Sequence, residues 1–362
     1  MDDTTLETLE YPAVLAELAG FASCAPGMDR ALSLRPCVDF QAVEDSFLEV
    51  KEIFSILKSR GKLPLAGVTG IVPFLARLDP AGSYLLPEEL LLVKANMDAG
   101  AGLKTLLSED LRRNYPRISA RFSALSDQTR LRKELDRILN EKGEIKDNAS
   151  PNLFRIRKEL RTNRERARTI IETAVEDTLY KDLLQDDFIS IRDDRYVLAV
   201  KAGMHSFVDG IIHGRSGSGA TYFIEPMPLV ALNNRAAILK KDERAEEIEI
   251  LKNISAAILT ERPALLNDLD TLTEIDFIQA KALFSIEIKA IVPEIKKKGY
   301  SLFGGNSPFE GNSLFGGEIN LKGARHPLLV LKELRGECFI TPVDILIKEG
   351  CRILVISGAN TG

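Results

Sequence analysis

The stretch SPNLFRIRKELRTNRERARTIIETAVEDTLYKDLL, residues 150–184, contains no glycine, and its only proline is its second residue. Ser150 suits the N-cap of a helix and Pro151 the first helical position, so the stretch predicts one long helix. A helix of this length needs a partner against which to bury its apolar stripe. The fold therefore depends on whether the chain supplies a second long helix after residue 184.

This predicted helix is strongly basic in an acidic chain. Between Arg155 and Arg168 it carries seven basic residues against two acidic ones, whereas the whole chain has a formal net charge of −5. Such a local patch indicates nucleic-acid contact, although a solvated helix face or an intramolecular partner for the acidic helix around Asp242–Glu249 would give the same pattern. The candidate contact residues on this helix are Arg155, Arg157, Lys158, Arg161, Arg164 and Arg168.

A small antiparallel β unit is predicted next. FISIRDDRYVLAVK (188–201) reads as two strands around an Asp-Asp turn, and VDGIIHG (208–214) and ATYFIEP (220–226) add two more, joined by RSGSG. The joining loop offers backbone N–H groups and an arginine to a phosphate, although a flexible hairpin loop explains it equally well. The candidate contact residues on this unit are Lys201, His205, His213 and Arg215.

A second long helical pattern comes after the β unit, with a break expected near Pro263, and it returns alongside the first. Helix, small sheet and helix together predict an antiparallel lever arm with a β tip. The fold class is thus mainly α with a small antiparallel β unit. The expected segments are a helical core (1–149), a lever helix (150–186), the tip (187–225), a returning helix (226–296), a Gly/Asn-rich loop (297–317) and a truncated α/β domain (318–362).

Composition limits the class of protein and the cellular location that the chain can have. It has 362 residues, 45% hydrophobic and 28% charged, which is ordinary for globular protein. The four cysteines and three histidines show no metal or disulfide spacing. We find no signal peptide and no apolar run long enough for a membrane span, so the cytoplasm is the expected location.

The last block reads as strands in EINLKGARHPLLV, CFITPVDILI and CRILVISGANTG. In the third of these, a strand over Ile353–Ile356 leads into a glycine turn that matches the first part of a phosphate-binding P-loop, G-x-x-x-x-G-K-[ST]. A strand that ends in an ordinary Gly/Asn turn is the alternative. Because the lysine and Ser/Thr would come next, we expect the chain to be a fragment of a longer protein. The candidate nucleotide-binding residues in this turn are Gly358, Ala359, Asn360, Thr361 and Gly362.

The order of these blocks resembles that of MutS-type ATPases. GARHPLL (323–329), CFITPVDI (338–345) and ISGANTG (356–362) resemble the segment that opens the ATPase domain of that family, its adenine-stacking stretch and its P-loop. LEYPAVLAELAGFA, RALSLRP and SGATYFIEPMPLVALNN resemble the type 2 branch, and the last string is the most specific. The resemblance covers essentially the whole chain. It adds Phe339 and His326 to the candidate nucleotide-binding residues.

The resemblance implies a dimeric clamp driven by ATP and Mg²⁺, with a C-terminal Smr endonuclease. It implies action on branched DNA with suppression of recombination, or on collided ribosomes that are then split, and not the initiation of mismatch repair. The catalytic lysine, the Walker B acid and the nuclease residues would lie beyond residue 362. We therefore expect no catalysis and no bound cofactor in this chain by itself. The alternative is a non-enzymatic arm or adaptor that grips a protein partner.

Overall fold

The structure is a computed structural model that describes residues 2–185, 189–295, 318–348 and 353–355. It is mainly α-helical with small antiparallel sheets, which confirms the predicted fold class. The chain divides into two compact units, Met1–Gly70 with Asp98–Ser126 and Leu265–Gly362, and Ile71–Met97 with Asp127–Ala264. Within the described ranges, no helix combines the length and apolar character needed to cross a membrane.

Helices predominate among the described residues, and short strands interrupt them there in two places. The helices are α1 (Asp3–Thr8), α2 (Tyr11–Ala19), α3 (Ala25–Leu32), α4 (Phe40–Arg60), α5 (Val72–Ala76), α6 (Pro87–Thr105), α7 (Glu109–Asn114), α8 (Pro116–Ala124), α9 (Thr129–Ile138), α10 (Pro151–Glu176), α11 (Thr178–Lys181), α12 (Met227–Thr260), α13 (Arg262–Glu287) and α14 (Pro327–Leu334). The strands are β1 (Ser190–Arg192), β2 (Arg195–Lys201), β3 (Gly210–Arg215), β4 (Thr221–Pro226), β5 (Ile319–Ala324) and β6 (Val343–Ile347).

In the first unit, the buried carboxylate of Asp276 on α13 caps the start of α3. It accepts hydrogen bonds from the backbone N–H groups of Ser23 and Cys24 at 2.9 and 3.0 Å, and from the Cys24 thiol at 3.0 Å. A carboxylate at a helix N-terminus is stabilised by the orphan N–H groups and the helix dipole. Burial, followed by the nearby Asp276, raises the pKa of the Cys24 thiol to about 12.

Gly27 makes this close approach of α3 to α13 possible. A Cβ atom added at Gly27 would lie 2.1 Å from Oδ2 of Asp276, closer than any real contact. The absence of a side chain at this position therefore sets how deeply the first turn of α3 packs onto the carboxylate.

In the second unit, α10 and α12 form the predicted antiparallel arm. The Ser150 hydroxyl accepts a hydrogen bond from the backbone N–H of Leu153, which confirms the predicted cap. The buried seam between the two helices consists of Ile156, Leu160, Ala236 and Leu239. The break predicted near Pro263 is also confirmed, because α12 ends at Thr260 and α13 begins at Arg262.

The tip is a four-stranded antiparallel sheet in the order β1-β2-β4-β3. Asp193 and Asp194 form the predicted turn between β1 and β2, and both have positive φ (47° and 62°), as a type I′ hairpin turn requires. One face of the sheet packs Leu198, Val200 and Ile224 against α10 and the start of α12. The tip thus has its own small core.

Helix α10 ends earlier than the sequence predicts. It stops at Glu176, and after the short α11 the backbone at residues 183–185 runs beside β2 instead. The Lys201 N–H donates to the carbonyl of Leu183, and the Gln185 N–H donates to that of Ala199. Nothing in the local sequence breaks the helix, so the pairing with a later strand overrides the helical pattern.

The C-terminal segments differ in part from the predicted strands. Strands β5 and β6 pair antiparallel, but HPLLV opens helix α14, because Pro327 at the first position favours a helix start. The predicted strand at Ile353–Ile356 is not formed over Ile353–Val355, the part of it that the structure describes. A strand of an α/β domain needs neighbouring strands and covering helices, and within the described residues the sheet here consists of β5 and β6.

Candidate nucleic-acid interface of the arm and tip

Four arginines of α10 lie along one flank of the arm. Arg157, Arg161, Arg164 and Arg168 recur at intervals of four, three and four residues, which places them on one side of the helix next to the buried seam. Their surroundings divide them into two groups. Arg157 is mostly buried, and the other three are exposed.

Arg157 binds residues of this chain. Its guanidinium donates to Glu243 at 2.7 Å and Glu247 at 2.8 Å, both on α12, and to Asp147 at 2.8 Å. Its side chain is only 18% exposed. Burial alone would lower the pKa of Arg157, but the hydrogen bonds to Glu243 and Asp147 outweigh it and raise this pKa. This arginine therefore joins the two arm helices, as the intramolecular alternative predicted.

Arg161, Arg164 and Arg168 extend into solvent. Arg161 pairs with Asp147 at 3.2 Å and is 59% exposed, and Arg168 pairs with Glu172 at 2.7 Å and is 67% exposed. Arg164 forms no ion pair within the described part of the chain. Exposed pairs contribute about 0–1 kcal/mol, so these guanidinium groups can exchange a carboxylate partner for a phosphate.

The remaining candidates on α10 point away from this flank. Arg155 pairs with Glu159 one turn later at 3.5 Å, and Glu159 also accepts from Arg235 on α12 at 2.8 Å. Lys158 is exposed, and its ammonium group makes no hydrogen bond or ion pair among the described residues. These charges contribute to the basic character of the arm without joining the stripe.

The candidates at the tip are held by internal contacts. The Lys201 ammonium donates to the carbonyl of Asp182 at 3.1 Å, and Nδ1–H of His205 donates to that of Ala202 at 2.7 Å. The Arg215 guanidinium donates to the carbonyl of Gly219 at 2.8 Å and stands over the Tyr222 ring, against which His205 also stacks. These contacts order the tip loops.

The fourth tip candidate, His213, belongs to a buried network centred on Glu225. The Glu225 side chain has no exposed area and accepts from Nε2–H of His213 at 2.5 Å, from Arg195 at 2.9 Å and from the Asn233 amide at 2.7 Å. Burial alone would raise the pKa of Glu225, but the hydrogen bonds from Asn233, His213 and Arg195 outweigh it and hold this pKa below its ordinary value.

This network joins the tip sheet to the returning helix, because Asn233 lies on α12 and also bonds both backbone groups of Tyr196 on β2. Sequence patterns alone did not identify Glu225. The available signal was the string SGATYFIEPMPLVALNN, which contains both Glu225 and Asn233.

The candidate nucleotide-binding residues are only partly described. Gly358, Ala359, Asn360, Thr361 and Gly362 lie outside the described residues. Phe339 presents a fully exposed ring, which fits an aromatic partner for a base. His326 occupies the N-cap position of α14 without a side-chain capping bond. Of this set, the structure locates only Phe339 and His326.

Comparison with known proteins identifies relatives along the whole chain. The chain is 32% identical over 369 residues to the endonuclease MutS2 of Halothermothrix orenii, 32% identical over 364 residues to that of Finegoldia magna and 32% identical over 363 residues to that of Alkaliphilus metalliredigens. Each alignment covers 100% of this chain and 43% of the relative. The chain therefore spans less than half the length of these relatives. No family model matches it.

Proposed function

We propose that this chain, which belongs to the type 2 branch of the MutS family, grips the phosphate backbone of nucleic acid with its arm and tip. The observation that carries the proposal is the exposed stripe of Arg161, Arg164 and Arg168 on one flank of α10. Seven residues of helix span about 10 Å. That is about three phosphate-to-phosphate steps of axial rise along one strand of a duplex.

For the whole protein we propose an ATP-dependent dimeric clamp with endonuclease activity. Duplex DNA is the first proposed target, because the relatives are named endonucleases. Branch points within it are the structures that the family resemblance implies. Ribosomal RNA on collided ribosomes is the second proposed target, and it presents the same phosphate chemistry. ATP with Mg²⁺, when bound, would supply the free energy for moving the arm. The exposed Phe339 ring is the described residue that would contact its adenine.

Salt-dependent binding tests the phosphate-clamp proposal directly. We expect the affinity of this chain for duplex DNA to fall steeply as salt rises, with a log–log slope of about −3 for three phosphate contacts. The same titration with purified ribosomes compares the two targets. A binding constant that stays flat from low to high salt would rule out the phosphate clamp.

Charge reversal at the stripe tests which residues make the contact. In the variant R161E/R164E/R168E, we expect affinity at about 50 mM salt to fall by at least about tenfold and the salt slope to flatten, while Tm stays nearly unchanged. The matched control K62E/R112E/R113E reverses three exposed cations of the first unit. Equal losses of affinity in the two variants would assign binding to total charge rather than to the stripe.

The second candidate function, an arm that grips protein, rests on the Arg157 contacts with Glu243 and Glu247. If the basic helix serves mainly to pair with α12, the triple variant should lower Tm instead of affinity. We expect Arg157→Ala to destabilise the arm by about 1–3 kcal/mol, because it removes the guanidinium that Glu243 and Glu247 share. The exposed control Arg155→Ala should cost less than about 0.5 kcal/mol in urea unfolding.

A further inference from the structure

A small notch lies on the arginine flank of the arm, where the β1–β2 hairpin turns back towards the two helices. Its volume is about 260 Å³, below the range of about 300–1,000 Å³ for drug-sized ligand sites. It therefore has room for one small ring system rather than a chain of them. Its lining residues are Asn163, Arg164, Ala167, Ile191, Asp194, Tyr196, Asn233 and Ala236.

The notch contains polar groups that make fewer hydrogen bonds than they can. Asn163 is only 8% exposed, and its amide nitrogen donates to the carbonyl of Leu232 at 2.7 Å. Its Oδ1 atom receives no hydrogen bond from the described residues. Beside it, the Arg164 guanidinium makes no ion pair within the same ranges. The notch thus presents a vacant acceptor next to a vacant donor.

Two further polar residues of the lining already have partners. The Asp194 carboxylate pairs with Lys240 at 2.6 Å and also feels the charge of Arg164, and the Asn233 amide bonds to Glu225.

The remaining lining is apolar or aromatic. Ala167 and Ala236 leave space between the helices, and Ile191 covers one side with 61% of its surface exposed. The half-buried Tyr196 contributes a ring with a polar end.

We infer that this notch holds one unpaired nucleobase, inserted between Tyr196 and the apolar wall, with its polar edge on Asn163 and Arg164. This inference rests on the proposed function, because the phosphates on either side of that base would lie on the arginine stripe. A planar heterocycle with both donors and acceptors is the ligand class that the lining matches.

The notch would give the arm a preference for unpaired nucleotides. Stacking of a base on an aromatic side chain contributes about 1–3 kcal/mol. Taking a base out of an intact duplex costs a few kcal/mol, and the cost is least where the base is already single-stranded. Continuous duplex would therefore bind through phosphates alone, and a single-stranded extension would add the base contact.

Two duplexes that differ only in a short single-stranded extension carrying 2-aminopurine test this inference. With the full chain, we expect the extended duplex to bind about tenfold more tightly than the blunt one, and the 2-aminopurine fluorescence to change on binding. Ile191→Trp fills the notch from an exposed position and should abolish both effects while leaving affinity for the blunt duplex unchanged. Ile211→Trp, at an exposed position on β3 outside the notch, is the matched control and should leave both effects intact.

Equal affinity for the two duplexes would overturn the inference that the notch holds a base. A preference for the extended duplex that survives Ile191→Trp would overturn it too. Neither result contradicts the phosphate clamp. If neither duplex binds, the proposed function fails. Binding of a base in the notch is then tested separately with 2-aminopurine ribonucleotide alone. A saturable fluorescence change that Ile191→Trp blocks would support it, and no change would overturn it.

Discussion

Lys281 on α13 carries a charge that is largely buried. Its ammonium donates to the Ser46 hydroxyl at 2.8 Å and stands over the Phe277 ring. Burial, the largest cause, lowers its pKa to about 8, and the neighbouring Glu49 and Glu274 oppose this only in part. Each of these carboxylates already has an arginine partner, Arg121 and Arg30 respectively, so neither is fully available to the lysine.

Replacing Lys281 by methionine should stabilise the first unit at neutral pH. The unfolded chain keeps this proton up to its ordinary pKa of 10.5, whereas the folded chain releases it near 8. The charged form therefore costs the fold about 3 kcal/mol below about pH 8, and stability at this site rises with pH between the two values. We expect K281M to unfold at higher urea at about pH 7, with the advantage shrinking towards about pH 9.5.

The exposed Lys58→Met on α4 is the matched control and should show no such pH dependence. A K281M variant that is less stable than the parent at neutral pH would mean that the Ser46 bond and the carboxylates outweigh the burial of the charge.

At the residue scale, the sequence predicted where the charged side chains lie on the helix, but not which residues they bind. The spacing of Arg157, Arg161, Arg164 and Arg168 already places them on one flank. Arg157 turns inward because it binds Glu243 and Glu247. These residues lie about ninety positions away and come close only when α12 packs on α10. Glu225 has the same explanation, since its burial depends on strands and a helix that meet at the tip.

At the scale of elements, the sequence predicted the pairing of α10 with α12 and the local starts and turns, but not where α10 ends. Ser150 and Pro151 fix the start of α10, and the two aspartates fix the β1–β2 turn, because capping and turn geometry act within a few residues. The end of α10 depends instead on hydrogen bonds to β2, which no neighbouring residue encodes. The bonds between the tip and the arm are likewise set by contacts distant in sequence.

Glu225→Gln should loosen the attachment of the tip to α12. The change keeps the shape but removes the charge that Arg195 and His213 bind, so we expect a loss of about 2–4 kcal/mol at neutral pH. Because the folded pKa of Glu225 lies below its ordinary 4.5, the stabilisation is present above that value and is lost as pH falls through the folded pKa. Urea unfolding at about pH 7 and about pH 4 should show the gap between parent and variant closing in acid.

Glu249→Gln, an exposed change on the same helix, provides the control and should leave the urea midpoint within experimental error. A gap that is constant with pH would assign the effect of Glu225→Gln to packing rather than to its charge.

At the scale of the whole molecule, the arm and tip form a core of their own. The seam residues and the apolar residues of the tip sheet all lie in the second unit. Within that unit, residues 71–97 add the bond from the Leu85 N–H to the Ser255 hydroxyl and the ion pair between Lys94 and Asp136. The sequence predicted an arm with a tip, but not that residues 71–97 pack with it, because helices α5 and α6 read like the rest of the helical core.

A fragment of residues 127–264 should therefore fold by itself. We expect helical circular dichroism and one cooperative thermal transition, with Tm at least about 5 °C below that of the second unit in the full chain, because the contacts of residues 71–97 are lost. Val200→Asp in the same fragment places a charge in the tip core and should remove the order of the tip. A fragment without a cooperative transition would show that residues 71–97 are essential to the arm.

Position 27 has a consequence for how this sequence can drift over generations. Because a Cβ at Gly27 would lie only 2.1 Å from the Asp276 carboxylate, any other amino acid there requires Asp276 to move away from the bonds it makes or to be replaced. Residue 276 in turn is constrained by the turn that it caps, some 250 residues earlier in the chain. Substitutions at positions 27 and 276 should therefore be accepted together rather than one at a time. In a saturation library, substitutions at 27 should be depleted as single changes and recover only beside a shorter, hydrogen-bonding residue at 276.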